Sequence, residues 1–540
     1  MPSVKGMKPL LIVVMVMLSM SAWAAEEAAV TSLEGALVEQ SADRGKTLEA
    51  FYAERDWRPV WQDPSTVTAF TEALHTLEGD GLSPSDYRPG ALSEAHRRAW
   101  GDGEGDPQEL ADFELRTSHV LLTALRHLQK GKVDPQGLDT GWEVPVEPPA
   151  LDVASLSRHV DARRFEQAFA DVRPSYPPYQ RLRDGLARYQ DIEQQGGWPT
   201  LPPLDGLLRP GDVHDAVPFL RERLAVIGEP GVAAADTTIL PDAKLVAPDP
   251  FTYDEALTEA VERFQERHLL QVDGVVGPDT LAALNVPVGE RIDQIRINLE
   301  RTRWLLHGLP ETFVLVDIAG YRVSYYRPNG DIWRSRIVVG QPYRRTPSLR
   351  SEITHLTVNP TWTIPPTIRR EDVIPEIRRD LGYLERNNIR VLSYSGRELD
   401  PRSIDWQDPG KVMLRREAGP DNPLGRVVIR FPNDHMVYLH DTPAQQLFSR
   451  QQRAISSGCI RVENVTTLVQ LLLDDTDTQR DIRAMIADGV TGNVPLERHV
   501  PVILHYWTAH VGEGGELSFR PDIYDRDDEL LEALDRPLTW

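Results

Sequence analysis

The chain of 540 residues contains a single cysteine, Cys459. An intrachain disulfide is therefore excluded, and three roles remain for the thiol: an intermolecular bridge, an inert core residue, or a working nucleophile. Ser-x-x-Lys and HExxH motifs are missing as well, which removes the serine acyltransferases and zinc peptidases that depend on them. Beyond one run near the N-terminus there is no long apolar stretch, so no second segment could span a bilayer as a helix. Positive charge is also scarce. The 59 Lys and Arg residues stand against 82 Asp and Glu, a net charge of −23. That balance argues against nucleic acid or an anionic membrane face as partner, since both require a basic patch.

The first 24 residues read as a secretory signal peptide. Lys5 and Lys8 supply the positive start, an apolar run extends from Leu10 to about Met20, and Ala22-Trp23-Ala24 offers the small-x-small cleavage pattern. The alternative is an uncleaved anchor. No cysteine follows the run, which excludes a lipoprotein anchor, and the mature chain is expected to be soluble. Exported proteins usually pair their cysteines in an oxidising compartment, so a lone thiol there calls for an explanation from its neighbours.

Residues 25–204 are expected to form a mainly helical scaffold. In "DFELRTSHVLLTALRHLQKGK", Leu115, Val120, Leu122, Leu125 and Leu128 fall near helical spacing, and Gly131 stops the run. "GDGEGDPQ" reads as a solvated acidic turn, because it lacks the ligand series of a calcium loop. Prolines in "GGWPTLPPLDGLLRPGD" mark a boundary. Three short helices follow over 205–288, with Val217, Leu220 and Leu224 on one and Leu257, Val261 and Phe264 on the next, and an irregular insertion between them. The stretch "AVERFQERHLLQVDGVVGPDTLAALN" resembles a peptidoglycan-binding domain, through Phe264, Gln265, Asp273, Gly274, Val276, Gly277, Thr280 and Leu284. The alternative is a three-helix module used for internal packing.

An amphipathic linking helix is expected over 289–309, with Ile292, Ile295, Leu299 and Leu306 on one face. From 310 to 505 the texture becomes alternating, as in "TFVLVDIAGYRVSYYRPNGDIWRSRIVVG", and predicts a mostly-β domain. A helical capping insertion over about 368–415 interrupts it, and residues 506–540 form a C-terminal extension. The expected fold class is therefore multidomain α+β.

"HMVYLHD" alternates as a strand and places Tyr438 and His440 on one face, with His435 left on the surface. "SSGCIRVENVTTLVQLLLDD" follows the loop, and its Val462, Val465 and Leu468 predict a helix starting just after Cys459. A helix N-terminus there would favour the thiolate. The amides of Gly458 and Cys459 could face an oxyanion. A thiolate, an imidazole and backbone donors are the parts that cysteine acyl transfer requires.

His440…Ser456-Ser457-Gly458-Cys459-Ile460-Arg461 resembles the signature of the L,D-transpeptidase (YkuD-type) catalytic domain. Many members carry a histidine two residues before the cysteine. Ser457 stands there in this chain, which is similar to the large periplasmic subgroup with a helical scaffold, a peptidoglycan-binding module and a capping insertion. "FYAERDWRPVWQD", "DGLSPSDY", "NPTWTIPP" and "MVYLHDTP" resemble that subgroup too. The resemblance implies Cys459 as nucleophile and His440 as base. It also implies Gly458, Cys459 and Tyr438 at the oxyanion, and Arg461, Ser457 and Trp362 toward substrate. Arg461 has a second reading as a structural ion pair and Trp362 as a core residue. Asp441 alternates away from His440, so a backbone carbonyl is expected to orient the ring. The implied reaction takes a tetrapeptide stem, releases D-alanine and forms 3→3 cross-links. Carbapenem acylation, a periplasmic location, peptidoglycan peptides and glycan as partners, and no metal or cofactor are implied with it. Hydrolysis to a tripeptide, lipoprotein anchoring and a non-catalytic wall-binding scaffold remain as alternatives.

Overall fold

The structure is a computed structural model that describes residues 33–38, 40, 45–101, 106–138, 150–232, 249–305 and 307–539. The signal-peptide segment, half of the "GDGEGDPQ" turn, the core of the insertion after the Val217 helix, and Leu306 lie outside the described residues. No helix among the described residues is long and apolar enough to cross a membrane.

The N-terminal part is helical, and its helices start where side chains can satisfy free amides. Asp63 accepts from Ser65 N at 2.8 Å ahead of Pro64–His75, and Asp106 accepts from Gln108 N at 3.1 Å ahead of Pro107–Lys130. The long helix buries Glu114 completely. Its carboxylate accepts from Trp61 N at 3.0 Å, from Tyr52 OH at 3.1 Å and from Val60 N. These bonds tie down the "FYAERDWRPVW" turn, in which Asp56 and Trp57 both adopt positive φ. Burial pushes the Glu114 carboxyl up to about 7, opposed by those donors.

Three helices follow, Val217–Val226, Glu255–Arg267 and Pro278–Leu284, around Leu220, Leu224, Leu257, Val261, Phe264 and Leu284. The buried Gln265 carboxamide accepts from Asp273 N and Gly274 N and donates to Val275 O, between 2.9 and 3.0 Å. Gly274 has φ +66, and a Cβ there would meet Thr258 at 2.8 Å. Gln and Gly at these positions therefore serve one turn.

The helix expected to be an amphipathic linker, Val288–Leu305, is instead a strut covered on several sides. Ile292, Ile295 and Leu299 pack on the Pro177–Gln194 helix and the C-terminal hairpin. Its polar side is buried too: Arg303 pairs with Glu300 at 2.6 Å and donates to Asp80 O and Tyr179 OH. Amphipathic spacing failed to reveal this because the second face is covered by a charged network.

The β region comprises β1 Phe313–Asp317, β2 Arg322–Tyr326, β3 Ile332–Gly340, β4 Leu349–Val358, β5 Trp362–Thr363, β6 Ile389–Ser393 and β7 Val412–Arg416. It continues with β8 Val427–Arg430, β9 Leu439–His440, β10 Ala454–Ser456, β11 Ile460–Val462, β12 Gly492–His505, β13 Ala509–Val511 and β14 Leu517–Phe519. Nine strands join in the order β10-β3-β11-β9-β8-β4-β12-β1-β2, and β2 also pairs with β3, so the sheet closes on itself. The Pro328-Asn329-Gly330 turn builds the β2–β3 hairpin, with Gly330 at φ +86 and Asn329 Oδ1 accepting from Asp331 N at 3.0 Å. The Val465–Asp475 helix seals the sheet through Val465, Leu468, Val469, Leu472 and Leu473, an i, i+3, i+4 stripe. Leu472→Ala, at a fully buried position, is expected to lower stability by about 2–5 kcal/mol, read as a shifted midpoint in denaturant titration.

The capping insertion has the expected helices in its first part, Ile374–Arg379 and Tyr383–Arg386, but is not helical throughout. It holds a second sheet, β5-β7-β6, with its own core of Ile364, Val373, Ile377, Leu384, Val391 and Leu414. Its strands are short and pair with residues distant along the chain (Val391 with Leu414, among others), so no local alternation betrayed them. The C-terminal segment returns to the helical part. Leu534 enters its core, and Lys132 Nζ donates to Leu534 O at 2.6 Å and Arg536 O at 2.8 Å.

Candidate active site

His440 is held on the two-residue strand β9 between β8 and β11. Val428 lies opposite His440 on one side and Arg461 on the other. Ile460 N donates to Tyr438 O at 3.0 Å, which extends the β9–β11 register by one step and sets Cys459 beside Tyr438. Residues paired across strands share a face, as do those two apart along one. Tyr438, His440, Cys459, Arg461 and Arg430 accordingly converge on one side of the sheet. The Tyr438 and His440 rings meet edge to face at 5.7 Å, and the Arg430 guanidinium lies 4.6 Å from the Tyr438 ring centroid.

Two local expectations need correction. "HMVYLHD" is a strand only at its end: Met436 has φ +55, and Val437 N donates to Asn433 Oδ1 at 3.0 Å, so a side-chain turn precedes β9. His435 is half-buried rather than a surface residue. Cys459 is also not at a helix N-terminus. It occupies the turn between β10 and β11, and the helix begins only at Val465, after Asn464 at φ +53. Val462, read as helical, is a strand residue whose partner is Ile337 on β3. The sheet's need for a neighbour to β3 and β9 overrode the local pattern.

The Ser456–Cys459 turn is braced internally. Gly458 has φ +110, a conformation open to glycine. Ser456 Oγ donates to Cys459 O at 2.6 Å, Thr346 Oγ1 donates to Gly458 O at 2.8 Å, and Gly458 N donates to Ser456 Oγ at 3.1 Å. The Gly458 amide is thus engaged within the turn, whereas the Cys459 amide makes no hydrogen bond among the described residues. Ser457 is exposed and accepts from Arg344 Nη1 at 3.0 Å. Arg344 also pairs with Glu371 at 2.8 Å and Asp372 at 2.7 Å, fastening the insertion to the thiol-bearing turn.

The thiol is half-buried, and it points toward Met436 O at 3.9 Å. Burial pushes its pKa above the ordinary cysteine value, while Tyr438, Arg430 and Arg461 pull it back in part. The Tyr438 hydroxyl lies against both the sulfur and the Trp362 side chain. Trp362 half-buries against the insertion core as well, so it joins cleft and core at once. The His440 ring is buried, and its Nδ1 donates to Asp441 O at 2.5 Å. Asp441's carboxylate turns away to accept from Arg426 N at 2.8 Å. Burial, with Arg461 and Arg430 nearby, pushes the imidazole down to about 3. At rest the arrangement is a neutral thiol and a neutral imidazole with no hydrogen bond between them, rather than the thiolate expected from a helix terminus. Arg461 has no ion pair among the described residues. Arg430 and Arg344 were not singled out in the sequence: Arg430 ends a plain apolar strand, and its place opposite Tyr438 depends on the β8–β9 pairing.

A half-buried thiol on a tight turn thus stands near a carbonyl-oriented imidazole on a closed β-sheet with a capping insertion. Residues 311–485 match the family model described as "L,D-transpeptidase catalytic domain". Residues 46–186 match a "Scaffold domain", and residues 247–284 a "Putative peptidoglycan binding domain". Segment by segment, the chain is therefore similar to an L,D-transpeptidase catalytic domain and to those two modules. A curated protein of Haemophilus influenzae named "Putative L,D-transpeptidase" is 37% identical over 222 residues. That alignment covers 40% of this chain and 45% of the relative, so the chain spans less than half of that protein's length. A solved L,D-transpeptidase from Stackebrandtia nassauensis shares 12% identity over 55% of this chain and 94% of its own, with a TM-score of 0.23. One from Xylanimonas cellulosilytica shares 15% over 56% and 100%, with a TM-score of 0.18.

Proposed function

We propose that the chain is a peptidoglycan L,D-transpeptidase that works through a thioester on Cys459. The observation that carries this reading is the convergence of Cys459, Tyr438, His440 and Arg461 on one sheet face. His440 is the base: with Nδ1 committed to the Asp441 carbonyl, Nε2 is left to take the thiol proton as sulfur attacks the donor carbonyl. The unengaged Cys459 amide and the Tyr438 hydroxyl stabilise the oxyanion, and Gly458 shapes the turn that exposes that amide rather than donating to it. D-alanine leaves the tetrapeptide donor, and a side-chain amine of a second stem resolves the thioester into a 3→3 cross-link. Trp362 and Ser457 line the approach. The chain is exported to the periplasm by its signal peptide, and the three-helix module holds it to the wall.

Arg461 meets a stem carboxylate in this scheme, and its lack of an internal ion pair supports that role. Arg461→Gln is expected to raise KM for a tetrapeptide donor by about 10- to 100-fold with a smaller change in kcat, the loss of one charge-assisted hydrogen bond.

Incubation of the purified chain with disaccharide-tetrapeptide tests the whole reading. Cross-linked dimers are the expected product. Tripeptide alone would favour hydrolysis. No product, and no carbapenem adduct on Cys459 in the folded protein, would favour a non-catalytic wall-binding scaffold.

A further inference from the structure

A cavity of about 610 Å³ lies away from Cys459, where the Pro177–Gln194 helix, the three-helix module and the β13–β14 hairpin meet. That volume suits a small peptide or similar ligand. Although the chain as a whole is strongly acidic, the cavity is lined by the arginines Arg188, Arg223, Arg263, Arg267, Arg322 and Arg520, against the glutamates Glu229, Glu266 and Glu516. Some of this charge is spent internally. Arg263 and Arg267 both clamp the buried Glu229, Arg520 pairs with Asp317 at 2.6 Å, and Glu516 faces Arg267.

Two guanidiniums, those of Arg188 and Arg223, have no acidic partner among the described residues. Arg188 donates to Ile227 O at 2.7 Å, while the exposed Arg322 lies across from Asp317 and helps hold that carboxyl down. Arg223 is 2% exposed, stacks 3.7 Å from the Trp198 ring, donates Nε to Leu284 O and leaves Nη1 without a partner. A cation that is withdrawn from water and left unpaired is costly unless a counter-charge arrives. Tyr189, Phe264 and Phe519 supply apolar wall beside these groups.

We propose that this cavity is a second, non-catalytic site that binds a carboxylate-bearing peptide stem of the wall between the three-helix module and the β13–β14 hairpin. Guanidinium forks on several elements match carboxylates bidentately, which is the recognition chemistry such a stem requires. The choice of a stem peptide as ligand rests on the function proposed above.

The test is hydrogen–deuterium exchange on the full chain titrated with a stem tripeptide, with the same tripeptide amidated at its carboxyls, and with inorganic phosphate. The expected result is protection of residues 217–230, 255–270 and 509–520 by the free-acid tripeptide, at least tenfold weaker for the amidated form. Arg322→Gln and Arg188→Gln should each weaken that protection about tenfold or more while Cys459 acylation by a carbapenem stays unchanged. Arg223→Gln is left out of the decisive set because it alters a buried stack. Protection confined to residues 436–461, equal titration midpoints in the variants, or phosphate binding that the tripeptide does not displace would overturn the proposal. Loss of Cys459 acylation in the unmutated chain would overturn the catalytic reading instead, so the two failures are distinguishable.

Discussion

Cys459→Ala is expected to abolish covalent labelling by a carbapenem and to reduce turnover of a tetrapeptide donor by a factor on the order of 10⁶, the scale seen when a nucleophile is removed. The replacement is small, the side chain is half-buried, and its contact with Met436 O is long at 3.9 Å, so melting temperature should barely move. Intact-mass and peptide-level mass spectrometry read the adduct, and chromatography of muropeptides reads the turnover. Labelling that persisted in Cys459→Ala would end the thioester mechanism, since the chain has no other cysteine.

His440→Gln is expected to slow acylation by about 10²- to 10⁴-fold, the usual contribution of a positioned base. Gln keeps much of the volume, which matters because His440 is only 4% exposed. The pH profile separates a lost base from a misfolded site. In the unmutated chain the imidazole is pushed down to about 3, so it is neutral at every pH above that, and no inflection is expected near the ordinary histidine value of 6.5. The thiol is pushed up, so the uncatalysed route through free thiolate is minor at neutral pH. His440→Gln should then leave a residual rate that rises about tenfold per pH unit until the thiol titrates, following thiolate concentration alone. A wild-type profile with a clear acid limb near 6.5 would show instead that His440 is protonated at rest and that an ion pair, not a neutral pair, starts the reaction.

The same depressed value bears on stability. A histidine whose folded pKa lies below its unfolded value binds a proton more readily when unfolded, so stability is complete above about 6.5 and declines as pH falls through that value toward 3. His127 and His510, each pushed down to about 3 by burial, act in the same direction. Acid should therefore weaken the helical part and the C-terminal hairpin together with the site.

Much of the chemistry was legible without coordinates because it is local. Ser456 to Arg461 is one contiguous segment, a turn running into β11, and a residue such as Gly458 declares its positive φ by its identity. Gln265, on the helix, braces the nearby turn at Asp273 and Gly274, so their short spacing carries their purpose. Asp441 could be set aside as an orienting carboxylate from alternation alone, and the ring does lean on a carbonyl.

What escaped was whatever depends on partners distant along the chain. The helix expected to start just after Cys459 starts only at Val465, because β3 and β9 need Ile460–Val462 as a neighbouring strand, and no local pattern records that demand. The sheet in the capping insertion and the buried strut at Val288–Leu305 were missed for the same reason, as was Arg430 beside Tyr438. Residue types and short spacings determined by themselves which atoms could react and which turns could form. Tertiary structure alone decided the resting charge of thiol and imidazole, because those charges follow from burial and from arginines on neighbouring strands, quantities that exist only once the chain has folded.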